Sequence, residues 1–118
     1  MMEEKNYACG IGPAFGVVGG KWKAVLLWEM QSGRLRFGEL RRRINGISEK
    51  MLIQQLRDLE RDQLVKRHVR NQVPPFVEYE LSEWGTSLNA ALTPVADWGE
   101  AYAKATGRYP ITQAQAEE

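Results

Sequence analysis

The strongest hydrophobic pattern in this sequence lies in residues 47–61. Leu52, Leu56 and Leu59 recur at positions i, i+4 and i+7, which places them on one face of an α-helix. Ser48 comes just before them, and a serine hydroxyl accepts a hydrogen bond from a free amide of the first helical turn. The pattern therefore predicts an amphipathic helix that begins at Ser48 and buries its leucine face.

A shorter helix is predicted just before this one. Its buried face is defined by Phe37, Leu40 and Ile44. Its opposite face carries three consecutive arginines, Arg41, Arg42 and Arg43. Asn45-Gly46 predicts a tight turn between the two helices, because both residue types tolerate positive φ. Two helices joined by so few residues must pack at a steep angle, which predicts a helix-turn-helix.

Beyond residue 63 the hydrophobic period changes from that of a helix to that of a strand. Apolar and polar side chains alternate in residues 64–71 and again in residues 77–81, with Pro74 and Pro75 between the two segments. This pattern predicts a two-stranded hairpin with a stiff tip. Residues 35–37 predict a further short strand. A helix-turn-helix followed directly by a hairpin is a winged helix, so the predicted fold is α+β and mostly α-helical.

Further helices are predicted on both sides of this winged unit. Pro13 suits the first turn of a short helix, and a second helix is predicted over residues 21–31. The apolar stripe of that second helix consists of Trp22, Val25, Leu26 and Met30. Ser82 is the predicted N-cap of a long C-terminal helix, which Pro94 either kinks or restarts.

The C-terminal helix carries more apolar surface than a small winged-helix core can cover. Trp84 lies near its start. Five further apolar side chains repeat at helical spacing, namely Leu88, Leu92, Val95, Trp98 and Tyr102. We expect these five and Phe15 of the first helix to form a homodimer interface. The alternative is that both helices fold back onto their own chain.

At 118 residues the chain has the length of one domain. We expect residues 9–33 to form the N-terminal helices, residues 34–81 the helix-turn-helix and wing, residues 82–108 the dimerisation helix and residues 109–118 a mobile tail. No apolar run approaches the length of a membrane span, and the first residues lack the apolar centre of a secretory signal. The expected location is the cytoplasm, with no membrane partner.

The net charge of +1 conceals a strong asymmetry along the chain. Residues 34–70 contain 11 Lys or Arg and 5 Asp or Glu, a net charge of +6. The rest of the chain has 5 basic and 10 acidic residues, a net charge of −5. A basic centre between acidic ends predicts a surface that binds a polyanion.

The outer face of the 47–61 helix suits the major groove of double-stranded DNA. Lys50, Gln54, Arg57 and Arg61 lie opposite the leucines; a glutamine amide can bond an adenine edge, and lysine or arginine can bond guanine or phosphate. The predicted DNA-binding residues are Arg36, Arg41, Arg42, Arg43, Ser48, Lys50, Gln54, Arg57, Lys66, Arg67 and Arg70. The alternative is an ordinary solvated helix face.

The sequence offers little for catalysis or for binding a cofactor. Cys9 is the only cysteine and His68 the only histidine, which argues against a zinc site and against a Ser-His-Asp set. Gly19-Gly20-Lys21 is too short for a phosphate-binding loop. We therefore expect no enzymatic activity, no metal and no cofactor.

An ordered set of short motifs covers residues 9–102. The set includes Gly20-Lys21-Trp22, Arg36-Phe37-Gly38-Glu39-Leu40, Gly46-Ile47-Ser48, Gln55-Leu56-Arg57-Asp58-Leu59-Glu60, Pro74-Pro75, Val77-Glu78-Tyr79 and Trp98-Gly99. With these motifs the chain resembles the HxlR-type bacterial transcriptional regulators, winged-helix dimers related to the MarR group. The resemblance implies that the 48–61 helix enters the major groove and that the hairpin lies over the backbone or minor groove. It also implies a repressor on an imperfect palindromic operator.

Two positions depart from the family pattern. Gln63 stands where the family usually has glycine before the first hairpin strand, which predicts a turn that is either strained or differently shaped. Ile53 occupies a place often held by threonine, and it can contact a thymine methyl group instead. The family pattern therefore does not define the base preference of this chain.

Cys9 matches, by its position, a cysteine that senses oxidants or electrophiles in this family. The resemblance implies an inducer that acts through Cys9; the alternative is an inert apolar residue at the dimer interface. Two other functions stay open. One is a regulator controlled by a non-covalent small molecule bound under Trp84 or Trp98, and the other is a winged helix that binds protein.

Overall fold

A computed structural model of the protein describes residues 6–111. In chain order the elements are helix α1 (Ile11–Val18), helix α2 (Lys23–Glu29) with a 3-10 turn at Met30–Ser32, strand β1 (Leu35–Arg36), helix α3 (Phe37–Arg43), helix α4 (Glu49–Arg61), strands β2 (Val65–Arg70) and β3 (Phe76–Leu81), and helix α5 (Glu83–Thr106). The three strands form one antiparallel sheet in the order β1-β3-β2. This architecture confirms the predicted α+β winged helix-turn-helix. Most of the predicted mobile tail lies outside the described residues.

Helix α4 forms as its leucine pattern predicts. The Met51 amide donates a hydrogen bond to Ser48 Oγ at 3.1 Å, so Ser48 is the N-cap. Leu52, Leu56 and Leu59 are at most 2% exposed. Burying one leucine side chain contributes about 1.5–3 kcal/mol, so the three leucines anchor α4 firmly in the core.

The turn between α3 and α4 is built around Gly46. Gly46 has a φ of +88°, whereas Asn45 stays outside the left-handed region. Ile44 and Ile47, on either side of the turn, are both buried in the core. The two isoleucines fix the approach of α3 to α4, and the result is the predicted helix-turn-helix.

The buried face of α2 differs by one residue from the predicted stripe. Leu26, Leu27 and Met30 are buried, whereas Val25 is 42% exposed. At about 100° per residue, Leu27 lies on one arc with Leu26 and Met30, and Val25 falls outside that arc. The prediction that Val25 lies on the buried face is therefore wrong. Trp22 packs partly against the core, as predicted.

The end of α4 and the start of α5 meet at the turn before β2. Gln63 adopts a φ of +66°, so the strained turn is the one of the two predicted alternatives that the structure shows. Ser82 Oγ donates to the Gln63 carbonyl at 2.6 Å and accepts the Gly85 amide at 3.1 Å. Ser82 therefore caps α5, as predicted, and also holds α5 against this turn.

Helix α5 runs through Pro94 as one continuous helix. It is held to α2 by Asn89, whose side chain is 4% exposed and whose Nδ2 donates to the Leu27 carbonyl at 2.6 Å. Leu88 packs against the core of its own chain. Among the residues described, none of the helices combines the length and the apolar character needed to cross a lipid bilayer.

Candidate nucleic-acid interface

The outer face of α4 presents the polar side chains that the helical period places there. Lys50, Gln54, Arg57 and Arg61 are all exposed. Lys50 and Arg57 form no ion pair with any residue in the described range. Both cations are therefore available to an external anion or to a base edge.

Asp58 contacts two of the polar side chains on this face and one side chain of helix α2. Asp58 Oδ1 accepts a hydrogen bond from Gln54 Nε2 at 3.1 Å and lies 3.3 Å from an Arg61 guanidinium nitrogen. Its other oxygen, Oδ2, lies 3.4 Å from Lys23 Nζ of helix α2. Gln54 is thus held at its amide nitrogen, and Arg61 is drawn to the edge of the face.

The three arginines of α3 have different surroundings. Arg42 is exposed and has no ion-pair partner within residues 6–111. A guanidinium nitrogen of Arg41 lies 4.0 Å from a Glu49 carboxylate oxygen. Arg43 turns toward the end of α2 and donates to Ser32 Oγ at 2.9 Å. Of the three, Arg42 is the most available to a phosphate.

Arg36 lies where the sheet meets the first helix of the helix-turn-helix. Its guanidinium carbon is 3.6 Å from the centre of the Phe76 ring, a cation–π contact that holds the side chain against the wing. Its backbone amide donates to Glu39 Oε1 at 2.8 Å, which satisfies an amide at the start of α3. Arg36 is exposed and keeps its guanidinium donors for a phosphate.

The strand register divides the predicted wing residues between the two faces of the sheet. Lys66 lies opposite Glu80, and Arg70 opposite Phe76, so both basic residues share one face. Arg67 lies opposite Tyr79 on the other face. The three residues therefore cannot act as one cluster.

On the face that carries Lys66 and Arg70, two glutamates contact Arg34, His68 and Arg70, whereas Lys66 has no ion-pair partner among the described residues. Arg70 Nε donates to Glu78 Oε1 at 2.9 Å, and Arg34 donates to Glu80 Oε1 at 3.1 Å. His68 Nε2 lies 2.6 Å from the same Glu80 oxygen. The hydrogen bond from Arg70 lowers the pKa of Glu78 below its ordinary value, and the bond with His68 lowers the pKa of Glu80.

These lowered pKa values predict how stability depends on pH. Glu78 and Glu80 protonate near the ordinary pKa of 4.5 in the unfolded chain but at a lower pH in the folded one. The unfolded state binds more protons in that window. The stabilisation of the folded state by the two ionised carboxylates is therefore complete above pH 4.5 and is lost as the pH falls toward the folded pKa values. Thermal melts across this range are expected to show a smaller acid-induced fall in Tm for Glu78→Gln/Glu80→Gln than for the parent. Equal falls in Tm would contradict the prediction.

The start of α4 and the segment before α1 hold two further predicted residues. Ser48 Oγ accepts the Met51 amide, so its hydroxyl hydrogen remains free to donate to a phosphate. Cys9 is exposed, and its carbonyl accepts the Gly12 amide at 3.3 Å in the first turn of α1. No cluster of three or more His, Cys, Asp or Glu that could hold a metal occurs among residues 6–111.

Comparison with known proteins identifies the family of this fold and surface. A model of the HxlR-like helix-turn-helix family matches residues 17–107. The chain belongs to the HxlR-like helix-turn-helix family. It is 49% identical over 98 residues to the HTH-type transcriptional regulator YtcD of Bacillus subtilis (strain 168), a match that covers 83% of this chain and 78% of YtcD.

Solved structures support the same assignment. The redox regulator HypR in its reduced form superimposes with a TM-score of 0.79 at 40% identity, covering 86% of this chain and all of HypR. Diamide-treated YodB from B. subtilis superimposes with a TM-score of 0.70 at 31% identity, covering 81% of this chain and 95% of YodB. This HxlR-like protein is a DNA-binding transcriptional regulator and not an enzyme.

Sequence reasoning missed the residues that hold the basic side chains in place. These are Asp58, Phe76, Glu78 and Glu80. The hydrogen bond from Gln54 to Asp58 is predictable from the sequence, because residues four apart lie side by side on a helix. No local sequence pattern predicts the contact between Arg36 and Phe76, since it depends on how the wing packs against the first strand.

Proposed function

We propose that this HxlR-like protein is a repressor that binds one operator half-site through helix α4 of each subunit. Lys50, Gln54 and Arg57 read base edges or adjoining phosphates in the major groove, and Arg42 and Arg36 bind the phosphate backbone. The observation that carries the proposal is the exposed outer face of α4, on which Lys50 and Arg57 have no partner in the described residues. Most of the affinity then comes from phosphate contacts and depends on salt.

A second copy of the chain completes the proposed binding unit. Helix α5 exposes 69% of Trp84, 55% of Val95 and 65% of Trp98, and α1 exposes 60% of Phe15. A monomer rarely leaves so much large apolar surface in water. A symmetric dimer through α1 and α5 places two α4 helices on an imperfect palindrome, with half-site centres about 34 Å apart.

Exposure of Cys9 supports control by oxidation or alkylation. Cys9 is accessible to a small electrophile just before α1, one of the two helices in the proposed interface. The names of two structural neighbours, a redox regulator and a diamide-treated protein, support the same proposal. A bulky or cross-linked Cys9 then displaces α1, changes the separation of the two α4 helices and weakens operator binding.

The test is fluorescence anisotropy on duplex DNA from the region upstream of the coding sequence. The protein is titrated with and without unlabelled competitor DNA, at two salt concentrations, first with reductant and then with diamide. We expect competitor-resistant binding that weakens at higher salt and weakens again with diamide. Light scattering on the same protein preparation, without DNA, should give the mass of a dimer. The mass of a monomer at micromolar concentration would contradict the proposed dimer.

The Cys9→Ser variant separates thiol sensing from DNA binding. It should bind the operator as the parent does in reductant and should keep that affinity in diamide, because the only thiol of the chain is gone. If the variant and the parent respond equally to diamide, Cys9 is not the sensor. The DNA-binding proposal survives that result, since none of the residues of the α4 face is affected.

A groove beside Trp84 supports a second candidate, control by a non-covalent ligand. This cavity of about 480 Å³ lies between α1, the turn after α4 and α5, and its walls include Val17, Leu64, Trp84 and Leu88. A mostly apolar cavity of this size suits a small aromatic or aliphatic molecule. Tryptophan fluorescence titrated with a panel of metabolites tests this candidate, because a ligand there changes the environment of Trp84. A flat response across the panel, with diamide still active, favours Cys9.

A further inference from the structure

Asp58 fixes which polar atoms Gln54 presents on the outer face of α4. A carboxylate can only accept hydrogen bonds, so the end of the Gln54 amide that lies 3.1 Å from Asp58 Oδ1 must be the NH₂ group. The chemistry of the pair therefore settles an amide orientation that heavy-atom positions alone leave ambiguous. One N–H of Gln54 is used, and the second N–H and Oε1 remain free.

The two free groups of Gln54 match one base. Adenine offers an acceptor at N7 and a donor at N6 in the major groove, and a glutamine amide bonds both when its N–H and its oxygen point outward together. An amide that rotates freely gives up part of this selectivity, because the reversed orientation presents oxygen where N7 needs a donor. A hydrogen bond formed before DNA binding also removes the entropic cost of ordering the side chain.

Asp58 is itself held from outside α4. Lys23 Nζ reaches it from helix α2 at 3.4 Å, and both side chains are only 16% exposed. Arg61 lies 3.3 Å from the oxygen that accepts from Gln54. The two cations offset the carboxylate charge, which reduces its repulsion of nearby DNA phosphates. The salt bridge to Lys23 links α4 to α2 through Oδ2 of Asp58, which is not the oxygen that accepts from Gln54.

We propose that Asp58 is a positioning residue that locks the Gln54 amide in the orientation that reads adenine, and so sets a preference for A·T at one base pair of each half-site. The inference rests on the proposed entry of α4 into the major groove. Asp58 needs no contact with DNA in this role, and its effect reaches the base only through Gln54.

The test uses operator duplexes in which one adenine at a time is replaced by 7-deazaadenine, which lacks the N7 acceptor. For the parent protein, each half-site should contain one adenine whose replacement weakens binding about tenfold, whereas the other replacements should have little effect. Gln54→Ala should lose affinity for the natural operator and become indifferent to that replacement. Asp58→Ala should reduce the tenfold penalty to about twofold, and Gln54→Ala/Asp58→Ala should respond as Gln54→Ala does.

Two controls separate orientation from loss of structure. Lys23→Ala removes the link between α2 and Asp58 but leaves the acceptor for Gln54, so it should lower Tm while keeping most of the tenfold penalty. Asp58→Asn preserves shape and allows both amide orientations, so it should also shrink the penalty. If circular dichroism shows that Asp58→Ala does not fold, Asp58→Asn takes its place in the test.

The possible results point to different conclusions. If the Asp58 variants keep the full penalty, or if no adenine is sensitive in the parent, the positioning role is wrong even though α4 binds DNA. If the parent binds the natural operator and a duplex of unrelated sequence alike in the presence of competitor, the proposed function itself fails. A loss of penalty in Lys23→Ala equal to that in Asp58→Ala means that a general shift of α4 explains the effect.

Discussion

Gly85→Ala is expected to lower the free energy of unfolding by about 3 kcal/mol, because an added methyl group has no room at this position. A Cβ built at Gly85 lies 2.2 Å from the carbonyl oxygen of Leu64 and 3.2 Å from its carbonyl carbon. These are backbone atoms and cannot swing away as a flexible side chain can. The Ser82 amide also donates to the same carbonyl at 3.0 Å, so relief requires α5 to move away from the turn before β2.

Gly38→Ala is the control for this substitution. Gly38 lies in helix α3, away from the proposed dimer interface, and a Cβ there meets only the flexible end of the Arg42 side chain, at 3.5 Å. Alanine is the better helix former, so this variant should be unchanged or more stable by up to about 1 kcal/mol. Urea unfolding at one fixed protein concentration measures both, since a dimer's stability depends on concentration. Equal stabilities for the two variants would show that α5 is not seated on Leu64 as described.

Replacing Arg42, Lys50 and Arg57 together by alanine is expected to weaken operator binding by about 100-fold or more. All three are exposed, and none has an ion-pair partner in the described part of the chain, so their charge is free to act on DNA. The slope of log affinity against log salt should become shallower by about one for each lost phosphate contact. Anisotropy titrations at several salt concentrations measure the affinity and the slope together.

The control variant removes the same charge from residues that are already paired. Arg34, Arg43 and Arg70 each lie within 4.0 Å of an acidic side chain. Their joint replacement by alanine should weaken binding by less than about tenfold, because acidic groups within the protein already hold them. If the two triple variants lose equal affinity, binding follows net charge alone, and the outer face of α4 has no special role.

Much of the candidate site follows from residues close in sequence. The helix period places Lys50, Gln54 and Arg57 opposite the leucines of α4, and all three are exposed in the structure. The strand period of two likewise places Lys66 and Arg70 on one face of the wing and Arg67 on the other, and the strand register agrees.

The sequence by itself determined the winged helix-turn-helix, because caps, turn residues and hydrophobic periods act over a few neighbouring residues. It also determined which residues face outward on α4. Only the tertiary structure decided which basic side chains are free and which are neutralised, since the pairs of Arg34 with Glu80 and Lys23 with Asp58 join residues 46 and 35 positions apart. Such contacts depend on how whole elements pack, and no local pattern encodes them.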